Sequence, residues 1–174
     1  DQFVKNTSFN NMSRTIVGEV DQQTLRFTAR ASYNITPDLT VQYYGQPFAS
    51  TGKYSKFNYV TNPRASYYED RTVSYGANQI SFDSNTNLYS VDENQNGTTD
   101  YSFLNPDFSF VQFRSNLVLR WEYIPGSEIY LVWSQGTNGS GSPVDDLFVN
   151  MDTQIFGKQP QNTFILKATY RFLL

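Results

Sequence analysis

The sequence contains no cysteine and no histidine. Zinc sites of the Cys/His type, thiol nucleophiles and any catalytic triad built on an imidazole base are therefore excluded within this chain. Disulfides are excluded with them, so cysteine usage says nothing about the redox compartment. No apolar run reaches the roughly 18 residues that a transmembrane helix needs. An excess of positive charge is also lacking: 13 Lys+Arg stand against 16 Asp+Glu, a formal net charge of −3. That balance argues against a nucleic-acid partner. The amino terminus, DQFVKN, shows no basic–apolar–small targeting signal. Either such a segment is removed, or these residues begin inside a longer polypeptide.

What the chain does have is aromatic residues, 17% of the total with 13 Tyr and 14 Phe, in 174 residues. The mean hydropathy is nonetheless a polar −0.52. Disordered chains are poor in aromatics, so this composition predicts an ordered fold. The length suits one domain or a substantial piece of a larger one.

The organising signal is alternation. In residues 24–35, Leu25, Phe27, Ala29, Ala31, Tyr33 and Ile35 share one face, while Thr24, Arg26, Thr28, Arg30, Ser32 and Asn34 share the other. Residues 112–123 repeat the pattern. Phe113, Leu117, Leu119, Trp121 and Tyr123 lie on one side, broken by Ser115, and Gln112, Arg114, Asn116, Val118, Arg120 and Glu122 lie on the other. Towards the carboxyl end Phe164, Leu166, Ala168, Tyr170, Phe172 and Leu174 alternate with Ile165, Lys167, Thr169, Arg171 and Leu173. Period two means β-strands with one apolar and one polar face. Shorter matches lie at 39–48, at 128–135 and, more weakly, at 13–20. A short helix is expected near 144–152.

Two kinds of connection separate these strands. Thr36-Pro37-Asp38 and Pro125-Gly126-Ser127 carry tight-turn residues. Residues 49–107 and 136–161 are expected to be long polar surface loops. Walking back from the carboxyl end, each tight turn falls on one side and each long loop on the other. Outer-membrane barrels have that asymmetry, with short turns inside and long loops outside. The strands are also long, about 10–13 residues where about 5–6 is usual, and a tilted bilayer-crossing strand takes about 9–11. Charges sit in mid-strand on the polar faces, as a wet or plugged lumen allows.

These features predict an all-β fold: an antiparallel up-and-down transmembrane β-barrel, these residues being the carboxyl-terminal strands of a larger one. One barrel domain, or the terminal part of one, then covers 1–174. Arg26, Arg30, Arg114, Arg120, Glu122, Lys167 and Arg171 are expected to face the lumen. Tyr33, Trp121, Tyr123, Tyr170 and Phe172 are expected as interfacial aromatics near the turns. The final strand, FILKATYRFLL, has the alternation and near-terminal aromatics that outer-membrane assembly machinery reads, though it ends in Leu174 and not in Phe.

The phrases TPDLTVQYYGQPF and FRSNLVLRWEY followed by PGS, together with NTFILKATYRF, carry a resemblance. They resemble the carboxyl-terminal barrel region of a Bacteroidota outer-membrane family of unknown function. Members of that family carry an amino-terminal carbohydrate-binding-like module ahead of the barrel. The resemblance covers about half of this chain, and that module has no counterpart in it. It implies a bilayer partner, an outer-membrane location, a scaffold or porin-like role, and a link to glycan binding or uptake. It brings no catalytic residues with it.

Chemistry-bearing motifs are few. Asp92, Asn94, Asn96 and Asp100 occupy positions 1, 3, 5 and 9 of a calcium-loop pattern, with Gly97 at the turn position. Phe103 stands where the bidentate carboxylate belongs, so calcium is a weak candidate and a surface hairpin tip is the favoured reading. No other cofactor is expected. The acid pairs Glu69-Asp70 and Asp145-Asp146 are read as solvated loop charges and not as a catalytic pair. No enzymatic role is expected. The many rings of 49–107 could stack on sugars, but packing against neighbouring structure is the favoured reading. The competing fold is a soluble all-β glycan-binding module, which would bury Phe27, Leu117, Leu119 and Trp121 and leave the arginine stripe in water.

Overall fold

A computed structural model describes residues 1–172. Leu173 and Leu174, the last positions of the predicted terminal strand, lie outside the described residues. The chain is all-β with antiparallel pairing. It divides into two compact units: Asp1–Gln22 with Gly52–Asp107, and Gln23–Thr51 with Phe108–Leu174.

The first unit begins with a hairpin of β1 (Gln2–Phe9) and β2 (Met12–Arg26). Asn10 and Asn11 turn it with φ of 50° and 63°. Two left-handed residues give the turn that matches the twist of paired strands, and Asn tolerates that region best after Gly. The strand β4 (Leu39–Val60) is 22 residues long and contributes to both units, as β2 does. In this unit its end pairs with β5 (Thr72–Ser74) through Asn58, Tyr59 and Val60. A separate three-stranded meander follows, of β6 (Ile80–Asp83), β7 (Leu88–Val91) and β8 (Tyr101–Leu104). Its cross-strand pairs Ile80–Val91, Phe82–Tyr89, Tyr89–Phe103 and Val91–Tyr101 place all of its rings with Ile80 and Val91 on one face, leaving Leu88 and Leu104 on the other. The ring-bearing face packs on Ile16 and Phe57, and Ile16, Val91 and Phe103 are fully buried. Residues 49–107, expected from sequence as one long loop, thus hold the end of β4, four further strands and a hydrophobic core. The polarity between its short strands masks this core, because each strand offers only two inward residues.

In the second unit five strands lie side by side. β3 (Ala29–Thr36) pairs with the first part of β4, and β9 (Phe108–Ile124), β10 (Ser127–Gly139) and β11 (Gln161–Ala168) follow in order. The segment 24–35, expected as one strand, breaks at Phe27-Thr28, where Phe27 N donates to Pro47 O. The strands of the expected 39–48, 112–123 and 128–135 are present and longer. Both tight turns lie at one end of this unit, since Glu122 N donates to Asp38 O at 2.8 Å. Phe48 and Phe110 meet at the other end, with ring centroids 6.1 Å apart, so β4 and β9 are antiparallel. Gly126 holds φ +81° after Pro125, the pairing that a type II turn demands.

The expected helix near 144–152 is α1 (Leu147–Met151), continued by a widened turn over Asp152–Phe156. Asp146 caps it, its side chain accepting from Phe148 N at 2.7 Å. Ile155 is buried with Ala49 and Val111, and Leu147, Met151 and Phe113 pack around them. Asn150, almost fully buried, ties the preceding loop down by accepting from Ser142 N and donating to Ser142 O.

Candidate functional site

The second unit presents two chemically distinct faces, and the register of its strands builds both. On one face the rows across β9, β10 and β11 read Trp121–Ile129–Ala168, Leu119–Leu131–Leu166 and Leu117–Trp133–Phe164. On β3 and β4 the matching pairs are Ala29–Gly45, Ala31–Tyr43 and Tyr33–Val41. Beyond the Leu117–Trp133–Phe164 row, the row Ser115–Gln135–Asn162 is polar, Ser115 Oγ donating to Gln135 and Gln135 Nε2 to Asn162 Oδ1. This face lies open. Phe27 is 60% exposed, Tyr33 71%, Phe164 66% and Leu166 71%.

Aromatic residues mark the turn end of the open face. Tyr33, Trp121, Tyr170 and Phe172 are exposed, with Tyr170 and Phe172 edge to face at 4.8 Å. Tyr123 is half-buried, its hydroxyl donating to Thr169 O. At the opposite end the face is covered by α1 and the turn after it, which themselves expose Phe148, Val149 and Phe156.

The second face is polar and carries the residues predicted to be luminal. Its rows read Glu122–Glu128, Arg120–Tyr130–Lys167, Asn116–Ser134–Thr163 and Arg114–Gly136–Gln161, interrupted by one apolar row, Val118–Val132–Ile165, with Arg30–Tyr44 and Ser32–Gln42 on the first two strands. Arg120 is the hub. It donates from Nε to Glu128 Oε1 at 3.0 Å and from Nη2 to the same oxygen, and Glu122 lies 3.9 Å away. Tyr130 completes the set by donating to Glu128 Oε2 at 2.7 Å, and Lys167 sits 5.8 Å over the Tyr130 ring. Arg30 lies 5.3 Å over Tyr44. Arg26 donates to the Gln46 amide oxygen once that amide is oriented to satisfy both its neighbours. Arg171 packs its stem against Gly126, and its backbone N donates to Ser127 Oγ. A groove of 470 Å³ opens on this face, lined by Arg30, Ser32, Gln42, Tyr44, Asn116 and Val118 among others.

The first unit contains a buried polar network that the sequence did not reveal. Arg14 donates to Glu93 from Nε at 3.0 Å and from Nη2 at 2.8 Å and lies 5.1 Å over the Tyr59 ring. Tyr101 donates to Glu93 Oε2 at 2.7 Å and shares a hydrogen bond with Tyr75 at 3.0 Å. The bonds to Glu93 raise the Arg14 pKa further above its ordinary value. Burial pushes Tyr75 up to about 12, and burial with the bonds to Tyr75 and Glu93 pushes Tyr101 up as well. Arg14 and Glu93 are 79 residues apart, so no local pattern links them. The only trace is the acid pair Asp92-Glu93 that follows the strand LYSV.

Asp92, Asn94, Asn96 and Asp100 are brought into one loop, the tip between β7 and β8. Their oxygens are taken up by the loop's own donors. Asp92 accepts from Asn96 N and Gly97 N, Asn94 from Asn96 N, Asn96 from Thr98 N, and Asp100 from Glu93 N. Phe103, at the position of the missing carboxylate, is in the core at 2% exposure. The bidentate carboxylate that closes the twelve-residue pattern thus has no counterpart at position 103. Among the described residues no group of three or more acidic side chains is placed to hold a metal.

Of the rings in 49–107, Phe57, Tyr75, Tyr101 and Phe103 build the core. Phe82 and Tyr89, with ring centroids 4.7 Å apart, line a 440 Å³ groove at the edge of that core, together with Phe57, Tyr75, Lys56, Ser74 and Ser81. No protein-family model, no curated protein and no solved structure matches the chain.

Proposed function

We propose that the second unit is part of the wall of an outer-membrane β-barrel, acting as a membrane-embedded scaffold or pore wall and not as an enzyme. One observation carries the reading: an antiparallel sheet whose apolar face is continuous across strands and uncovered from its turn end up to the Leu117–Trp133–Phe164 row, backed by a face that is mostly charged and amide side chains. A soluble sheet of this composition gains its stability by burying such a face, at about 25 cal/mol per Å². Here the apolar rows meet no other element, which suits contact with lipid chains. The aromatic cluster at the turn end and the exposed Phe148, Val149 and Phe156 at the other bound the band as interfacial side chains do. The resemblance to a Bacteroidota outer-membrane family supports the same location. It also supports the assembly machinery of that membrane as the partner that reads the terminal strand.

Both tryptophans of the chain, Trp121 and Trp133, belong to the apolar face, which gives a direct test. The full-length protein is reconstituted in vesicles whose acyl chains carry a doxyl quencher. Both indoles are expected to be quenched, Trp133 by the deeper label and Trp121 by the shallower, each signal disappearing in its Trp→Phe variant. Emission blind to the lipid label but quenched by aqueous iodide would refute the barrel and favour a soluble all-β module.

A second role is suggested by the groove of the first unit. Phe82 is 45% exposed beside Tyr89, with Ser74, Ser81 and Lys56 at hand. An aromatic face with hydroxyl and ammonium neighbours suits a sugar ring. Phe82→Ala should abolish saccharide-dependent line broadening of the Tyr89 ring, and unchanged broadening would remove the glycan role from this groove.

A further inference from the structure

The strand directions and charges of the second unit constrain what completes the barrel; the inference rests on the membrane reading above. Its five strands β3, β4, β9, β10 and β11 are each antiparallel to the next, so the first and the last run the same way. Neither outer edge has a ladder partner among the described residues. At β11 the phase of that edge is fixed. Glu128 and Thr169 exchange both backbone bonds, at 3.2 and 2.8 Å. By alternation the backbone groups of Asn162, Phe164, Leu166 and Ala168 point away from β10. Unpaired backbone costs several kcal/mol per group in hydrocarbon, so both edges must be paired in a bilayer.

A second copy of the chain cannot do this. Two copies inserted the same way up would set β3 of one beside β11 of the other in parallel, against the antiparallel order of such barrels. The charges add a condition. Arg120 takes the carboxylates of Glu122 and Glu128; Arg30 rests on a ring alone, and Lys167 lies over the Tyr130 ring within the field of Glu128 but in no ion pair of its own among the described residues. Arg114 has no carboxylate partner among the described residues. Arg30 and Lys167 stand on the two edge strands.

We propose that closure comes from an odd number of further strands, at least three, supplied by a segment of the same polypeptide outside these residues. Their inward faces carry Asp or Glu beside Arg30 and Lys167. Five plus an odd number gives the even count of bacterial barrels, and three gives about eight, the smallest closed size.

The test is a cryo-EM map of the full-length protein extracted from its own outer membrane, with carbonate extraction run in parallel. An odd number of same-chain strands between β11 and β3, with acids next to Lys167 and Arg30, is expected. An even number, a second copy on either edge, or inward faces without acids overturns the closure while leaving the barrel standing. Release of the protein by carbonate overturns the barrel reading itself, and the closure with it.

Discussion

Glu93 shows what one side chain can hold together. It accepts from Arg14 and Tyr101 inside the first unit, and its side chain and that of Arg14 are only 8% and 13% exposed. Removing one partner of such a pair leaves the other charge poorly solvated, so Glu93→Gln should cost about 3 kcal/mol in unfolding free energy. Tyr101→Phe keeps the ring in the core and removes two hydrogen bonds, and should cost about 1–2 kcal/mol. Denaturant titrations followed by near-ultraviolet dichroism of the full-length protein measure both, and equal costs would show that the ion pair adds nothing. The network also sets an alkaline limit. Tyr75 holds its proton up to about pH 12 when folded, against an ordinary value of 10.0. The folded state therefore binds the proton more tightly than the unfolded state. Stability is complete below about pH 10 and declines as pH rises towards 12. Absorbance at the tyrosinate band should show Tyr75 and Tyr101 ionising only as the unit unfolds, and Tyr75→Phe should reduce the alkaline loss.

At the scale of the strand, neighbouring positions carry opposite requirements. Leu131 lies in the open apolar face at 42% exposure, and Ser134, three residues on, lies in the polar one. In a barrel wall Leu131→Arg should cost about 2–4 kcal/mol and Ser134→Arg close to nothing. Refolding into lipid vesicles, read by heat-modifiable gel mobility, separates the two, and equal tolerance would mean that the faces are reversed or that lipid is absent. Gly126→Ala, at φ +81°, should cost about 1 kcal/mol in the same assay. These strands were legible because each keeps period two over many residues, and because Pro37-Asp38 and Pro125-Gly126 announce their turns. β6, β7 and β8 were not. Each has four residues, too few for alternation to rise above chance, and Asn-rich links hide their pairing. The same limit hid the Arg14–Glu93 pair, which exists only because the meander brings position 93 beside β2. The predicted luminal residues were legible as a face, since phase alone assigns them. Their partners were not, because Arg120 meets Glu128 only through the exact register of β9 on β10.

For the molecule as a whole, the two units treat their apolar side chains in two ways. The first unit covers its apolar side chains with a second small sheet, whereas the second leaves an apolar face bare and collects its cations on the other. In the proposed barrel those cations decide what the lumen could pass. Arg120 is neutralised by Glu128 and Glu122, so its field is short-ranged, while Arg30 and Arg114 have no carboxylate among the described residues. Unpaired guanidinium groups in a narrow lumen are costly to desolvate. With acids from the closing strands or from a plug beside them, planar bilayers holding the full-length protein should stay silent or conduct with little ion preference. Arg120→Gln should then leave selectivity unchanged but lower the folded yield, because Glu128 loses its partner. An anion preference that disappears when Arg30 and Arg114 are changed to Gln would instead show a wet, open channel lined by free arginines, and would overturn the paired lumen.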